Sequence, residues 1–86
     1  MKYVRNNTIY AKKINDKWYI LENDKRAVRE LNEIGSLIWE ALVEPCTIEN
    51  IVGRICEEYK VEPRIAQKDA LEFVIGYVKE GYIAEV

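Results

Sequence analysis

In Glu30-Leu31-Asn32-Glu33-Ile34-Gly35-Ser36-Leu37-Ile38-Trp39 an extended pattern gives way to a helical one. Leu31 ends an extended run. Asn32 begins a helix, because its side-chain oxygen can accept from a free N–H of the first turn. Ile34, Leu37, Ile38, Ala41 and Leu42 then recur at the spacing of one apolar helix face. Trp39 falls at the edge of that face, where a large ring can cover the seam between helix and sheet. Gly35 in the first turn costs about 1 kcal/mol against alanine. The expected return is close approach of another backbone.

Working outward, the N-terminal third reads as strands. Tyr3-Val4 opens the chain, and Thr8 to Ile14 reads as a first strand. Asn15-Asp16 is a turn signal, since both residues tolerate a left-handed backbone. Lys17 to Leu21 is a second strand, rich in aromatic and β-branched residues. Glu22 to Lys25 is a polar turn, and Arg26 to Leu31 a third strand. The C-terminal two-thirds reads as helices. The first runs from about Glu33 to Val43, and Pro45 breaks it. Thr47 caps a second, whose face is Ile48, Ile51, Val52, Ile55, Cys56 and Tyr59, with Gly53 on the outer side. The third runs from Pro63, at its first position, to about Glu80, with Gly81 as the residue that ends it. Tyr82-Ile83 packs the tail on the core. The reading is one α+β domain, residues 1–86, in which a three-stranded antiparallel sheet is followed by three helices (β-β-β-α-α-α), similar in element order to a winged helix-turn-helix.

Composition limits the function. Eighty-six residues, 49% hydrophobic and 33% charged, make a globular mixture with one core. No apolar run approaches the roughly 18 residues of a membrane span. The start, Met1 to Asn7, lacks the apolar region of a signal peptide. The expectation is a cytoplasmic protein without a membrane partner, in which the sequon Asn6-Asn7-Thr8 is a chance match. There is no histidine. The two cysteines, Cys46 in a loop and Cys56 on a helix face, lack metal-ligand spacing, so no structural zinc is expected. The net charge of −2 is uneven: residues 1 to 32 hold eight basic and four acidic side chains, the rest five and eleven. An acidic helical half is a poor footprint for nucleic acid.

No catalytic constellation is present in the sequence. Ser36 is the only serine and has no partner base, and the glycine patterns of phosphate and dinucleotide loops are absent. The chain reads as a non-enzyme that needs no cofactor. Two features point instead to recognition. The third strand is a sheet edge, blunted by Lys25, Arg26 and Arg29, and an edge beside a helix suits strand addition by an extended peptide. The third helix carries more apolar residues than one stripe can hold, from Ile65 to Val78, which fits a helix buried on two sides, a dimer interface, or an exposed apolar groove along it. Asp69, flanked by Ala66, Ala70 and Phe73, reads either as an exposed helix residue or as an acceptor beside the third strand for a bound segment.

Leu31-Asn32, Gly35 and Ile38-Trp39 form the pattern LN-x-x-G-x-x-I-W. Thr47-Ile48-Glu49, then Glu57-Glu58-Tyr59-Lys60-Val61, then Asp69-Ala70-Leu71-Glu72-Phe73-Val74 and Gly81-Tyr82-Ile83 follow in order. With these motifs the chain resembles the PqqD-like family, the precursor-peptide recognition elements of ribosomally synthesised, post-translationally modified peptide (RiPP) pathways. The resemblance implies the fold already read, and a non-catalytic domain that binds the leader region of a precursor peptide. The leader would add as a strand to the third strand and lie against the third helix. Carried over by position, the main-chain partners would be Arg26, Ala27, Val28, Arg29, Glu30 and Leu31. The helix wall would be Ile65, Asp69, Glu72, Phe73 and Gly76, with Phe73 the floor of an apolar pocket and Asp69 a polar anchor. Leu31, Ile38 and Trp39 would be structural.

Arg29 stands where many family members have an aromatic or aliphatic residue, which implies one charged leader pocket, and Gly76-Tyr77 replaces a common polar-leucine pair; both departures bear on the leader motif and not on the binding mode. The implied partners are a leader peptidase with a cyclase, as in lasso peptide pathways, or a radical SAM enzyme, as in pyrroloquinoline quinone or sactipeptide pathways. The lasso type is favoured because its recognition elements are commonly discrete proteins of this size. The expected state is a monomer, with edge-strand dimerisation left open. The competing readings are a winged-helix DNA-binding or regulatory module, and a structural interaction domain.

Overall fold

A computed structural model describes residues 1–22 and 27–86. The elements are β1 (Tyr3–Arg5), β2 (Ala11–Ile14), β3 (Lys17–Glu22), β4 (Ala27–Glu30), α1 (Glu33–Ala41), α2 (Ile48–Tyr59), α3 (Pro63–Lys79) and β5 (Ile83–Glu85). Strands β2, β3 and β4 form the expected antiparallel meander, in that order. Asn15 and Asp16 join β2 to β3 with φ of 51° and 69°, so the two-residue loop has both central residues left-handed, as a tight hairpin requires. The turn expected at residues 22–25 lies, beyond Glu22, outside the described residues.

Two strand expectations are corrected. The first strand of the meander begins at Ala11, not Thr8. The Asn6 side chain accepts from both the backbone N–H (3.0 Å) and the hydroxyl (2.8 Å) of Thr8, and the Ile9 N–H reaches the Asn6 carbonyl. That local turn takes the backbone groups a longer strand would have used. The sheet is also not alone. β1 and β5 pair antiparallel as a second sheet, Tyr3 opposite Glu85 and Arg5 opposite Ile83, so the order is β-β-β-β-α-α-α-β. Cys46 joins this end of the molecule: its N–H and carbonyl both bond to Tyr3 at 2.8 Å, and its thiol donates to the Ala41 carbonyl.

The helices start and stop where their capping residues stand. The Asn32 side chain accepts from the Gly35 N–H at 2.7 Å. Thr47 and Asn50 cap each other's backbone at the start of α2. Pro63 opens α3, and Gly81, at φ 83°, closes it. The Tyr82 N–H then bonds the Tyr77 carbonyl at 2.9 Å, and the two rings meet edge to face. α1 ends at Ala41, two residues short of the expectation.

The core lies between the inner face of the meander and the three helices. Ile20, Leu31, Ile38, Leu42, Ile51, Ile55, Ala66, Ala70, Val74 and Ile83 are buried in it. Trp39 is at its centre, 1% exposed, and not at the edge of the helix face. Arg5 roofs it, with the guanidinium 5.5 Å from the Trp39 ring centre and a bond to the Trp39 carbonyl. The outer face of the meander carries an apolar patch beside the Lys17–Glu30 ion pair: Tyr10, Ile14, Leu21 and Val28 are exposed there, and with Lys12 and Tyr19 they line a shallow depression of about 220 Å³.

Candidate functional site

β4 pairs with β3 on one side, and among the described residues nothing pairs with its other side. The register identifies which backbone groups are open. The Leu31 N–H bonds the Trp18 carbonyl at 2.9 Å. Bonding alternates along an antiparallel strand, so Ala27, Arg29 and Leu31 turn their backbone groups to β3, while Val28 and Glu30 present theirs outward. Side chains alternate as well. Val28, opposite Leu21, lies on the outer face, whereas Arg29, opposite the buried Ile20, points to the helix side. Arg26 lies outside the described residues.

The open edge leads to a cleft of about 370 Å³ between α1 and α3, lined by Asn32, Ile34, Gly35, Ile38, Asp69, Glu72 and Phe73. Gly35 sets its depth. A Cβ there would stand 3.1 Å from Cε2 of Phe73 and 3.2 Å from the capping oxygen of Asn32. The close approach expected at Gly35 is therefore made by an aromatic ring, not by another backbone. Phe73 is held from below by Tyr77, stacked at 4.1 Å, and Tyr77 meets Trp39 edge to face at 6.4 Å. The ring in the cleft thus continues into the core.

Of the α3 residues expected to form the wall, Asp69, Glu72 and Phe73 line the cleft, and Asp69 and Glu72 are exposed on its rim. Ile65 is exposed one turn beyond Asp69, and Gly76 is half-buried with open space above it; neither lines this cleft. Asn32, Ile34, Gly35 and Ile38 line it without having been expected to. The signal was present: a helix-weakening glycine in a first turn whose apolar neighbours form one face.

Arg29 does not open toward the cleft as a free charge. Its Nε donates to Glu22 at 2.8 Å, and its Nη atoms fork onto the two carboxylate oxygens of Glu80 at 2.9 and 3.3 Å. The guanidinium lies 5.2 Å from the Tyr77 ring centre and 5.5 Å from that of Tyr82. This cluster ties β3 and β4 to the end of α3. Burial pushes the Tyr77 hydroxyl above its usual value, and the bond and charge of Arg29 oppose that shift. Ser36, unremarkable as a lone serine, is buried at the junction. Its hydroxyl accepts from the Trp18 N–H at 2.9 Å and donates to the Leu31 carbonyl, so it holds β3, the end of β4 and α1 together. Among the described residues no His, Cys, Asp or Glu cluster could hold a metal ion, and no helix is long and apolar enough to cross a membrane.

A comparison with curated protein sequences gave no match. Solved structures match closely in shape. TbiB1 in complex with the TbiA(β) leader peptide superposes with a TM-score of 0.82 at 24% identity, 96% of each chain being covered. A lasso peptide synthetase B1 complexed with its leader peptide gives 0.80 at 18% identity, covering 99% of this chain and all of that one. The PqqD truncation of Methylobacterium extorquens PqqCD, described as a stand-alone RiPP recognition element, gives 0.76 at 13% identity, covering 98% and 89%. These likenesses establish the fold. The sequence itself matches the profile of coenzyme PQQ synthesis protein D (PqqD) over residues 17–83. That span runs from the start of β3 to the start of β5 and takes in both walls of the cleft, and the chain belongs to the PqqD family.

Proposed function

We propose that this protein is a non-catalytic recognition element that binds the leader region of a ribosomally synthesised precursor peptide and delivers it to a leader peptidase or modifying enzyme. The observation that carries the reading is the open edge of β4, with the Val28 and Glu30 backbone groups facing out beside a cleft floored by Phe73. An extended peptide pairs with those groups, and its side chains alternate between the outer face and the α3 side. The inward side chain opposite Leu31 enters the Phe73 cleft, with Asp69 and Glu72 at its rim. Ile65 and Gly76 flank the path further along α3. Ordering a flexible leader costs several kcal/mol. Apolar side chains buried on binding, at about 1.5–3 kcal/mol each, offset that together with the backbone pairing.

A lasso-type pathway is favoured, supported by the description of one structural neighbour as a lasso peptide synthetase B1 complexed with the leader peptide. Pyrroloquinoline quinone or sactipeptide pathways are the alternatives. The DNA-binding reading rests on element order alone. The exposed surface of α2 carries Glu49, Glu57 and Glu58 against Arg54, the wrong sign for phosphate.

The test is titration of a labelled leader, from the precursor encoded beside this gene, followed by anisotropy and amide NMR shifts. Val28→Pro supplies the control. Proline is tolerated on an edge strand whose N–H faces solvent, so the fold should persist while one pairing donor is lost. Saturable binding that weakens about fivefold or more in Val28→Pro supports strand addition, one hydrogen bond being worth about 1 kcal/mol. Equal affinity in the variant, or steep loss of binding with salt, overturns it.

A further inference from the structure

The Arg29 cluster carries an inference that rests on the peptide-binding reading and goes further into it. A peptide strand on β4 sends two neighbouring side chains inward, one opposite Leu31 and one, two residues away, opposite Arg29. The first has the cleft. Beside the second stands the Arg29 side chain, 28% exposed. The Arg29 side chain spans from β4 to the end of α3 and lies against the rings of Tyr77 and Tyr82. Its charge is also already met, by a single bond to Glu22 and a forked bond to Glu80. A guanidinium with two carboxylates has no uncompensated positive charge to offer an acidic ligand, and breaking either pair to recruit a third acid returns no net gain.

We infer that Arg29 is a specificity-determining residue that acts as a filler and not as a charge, closing the α3 C-terminal half of the groove so that the peptide is read at one large apolar side chain. The occupant of the second inward position is then small, and an acidic residue there confers no advantage. This inverts the simplest expectation for a basic residue in a peptide groove, which is a salt bridge to the ligand.

The experiment uses the full chain and a leader peptide whose two inward positions are first assigned from cross-strand nuclear Overhauser contacts in the wild-type complex. Peptides with Ala, Asp or Phe at the second position are titrated into wild type, Arg29→Ala and Arg29→Met, each checked for an intact amide spectrum. In wild type, Asp should bind no more tightly than Ala, and Phe more weakly than Ala. In Arg29→Ala the order should reverse, with Phe gaining about tenfold over Ala, the scale of a newly filled apolar pocket. Arg29→Met, which keeps the stem and removes the guanidinium, should fall between.

Asp binding about tenfold more tightly than Ala in wild type would make Arg29 a ligand charge and overturn the inference without any variant. So would an unchanged preference in a folded Arg29→Ala or Arg29→Met that still binds the parent leader. Failure of every peptide, the parent leader included, to bind wild type would instead sink the recognition reading itself.

Discussion

Gly35 shows how much one absent carbon decides. The helix gives up about 1 kcal/mol of propensity there, and in return the Phe73 ring comes within van der Waals distance of the first turn of α1. Gly35→Ala should recover propensity while pressing on that ring and on the cap oxygen of Asn32. Stability should stay within about 1 kcal/mol of wild type, and the Phe73 ring resonances should move. A stationary Phe73 spectrum would show that the ring does not pack on Gly35. Ser36 is a second such residue. With alanine there, the Trp18 N–H and the Leu31 carbonyl lose a buried partner, and denaturant unfolding should report a loss of about 1–3 kcal/mol. Gly35 was legible in the sequence because a glycine in a capped helix start is an anomaly that needs a cause. Ser36 was not, since a serine facing a neighbouring strand leaves no periodic mark. The surroundings of Arg29 were equally invisible: Glu22 is close in sequence but Glu80 lies half a protein away, and their convergence is a property of the packed sheet and helix.

The elements were readable where local chemistry sets them. Asn15-Asp16, Asn32, Thr47, Pro63 and Gly81 each impose a backbone state on their own segment, and each turn or helix end appears where that residue stands. Thr47→Ala should therefore cost about 1 kcal/mol by thermal or chemical unfolding, because the Asn50 N–H loses its hydroxyl acceptor while the residue-47 N–H can still reach the Asn50 side chain. A change below about 0.3 kcal/mol would mean that solvent replaces the cap without loss. What could not be read was β1 with β5. Three residues are too few to show a period of two, and each strand exists only because the other end of the chain lies beside it. Trp39 was misplaced for a related reason. A helix wheel places it at the margin of α1's own face, but the margin is covered by Arg5 and by Tyr77, which come from either end of the chain.

Across the whole molecule, α1, α3 and the tail are joined by one chain of aromatic contacts, Trp39, Tyr77, Phe73 and Tyr82, and Arg29 of the sheet lies over two of its rings. Burial keeps the Tyr77 hydroxyl protonated above its ordinary value of 10.0. At pH values between that ordinary value and the raised one, the unfolded chain has released this proton and the folded protein has not, so stability falls as pH rises. Stability measured across the alkaline limb should fall less steeply in Tyr77→Phe than in wild type. The slope will not vanish, because Tyr59 and Tyr82 are shifted in the same direction. Identical slopes in the two proteins would place Tyr77 in water.

The pairing of β1 with β5 makes the fold a nearly closed ring. Lys2 and Val86 exchange backbone hydrogen bonds at 2.8 and 3.4 Å, and neither residue lines the cleft. This closure joins the segments furthest apart in sequence, the kind of contact that slows folding because a long loop must close before it forms. A peptide bond through a short linker would close that loop in advance, removing about 4 kcal/mol of chain entropy from the unfolded state alone. In such a linked chain the groove would be untouched, and folding would begin with its most distant contact made.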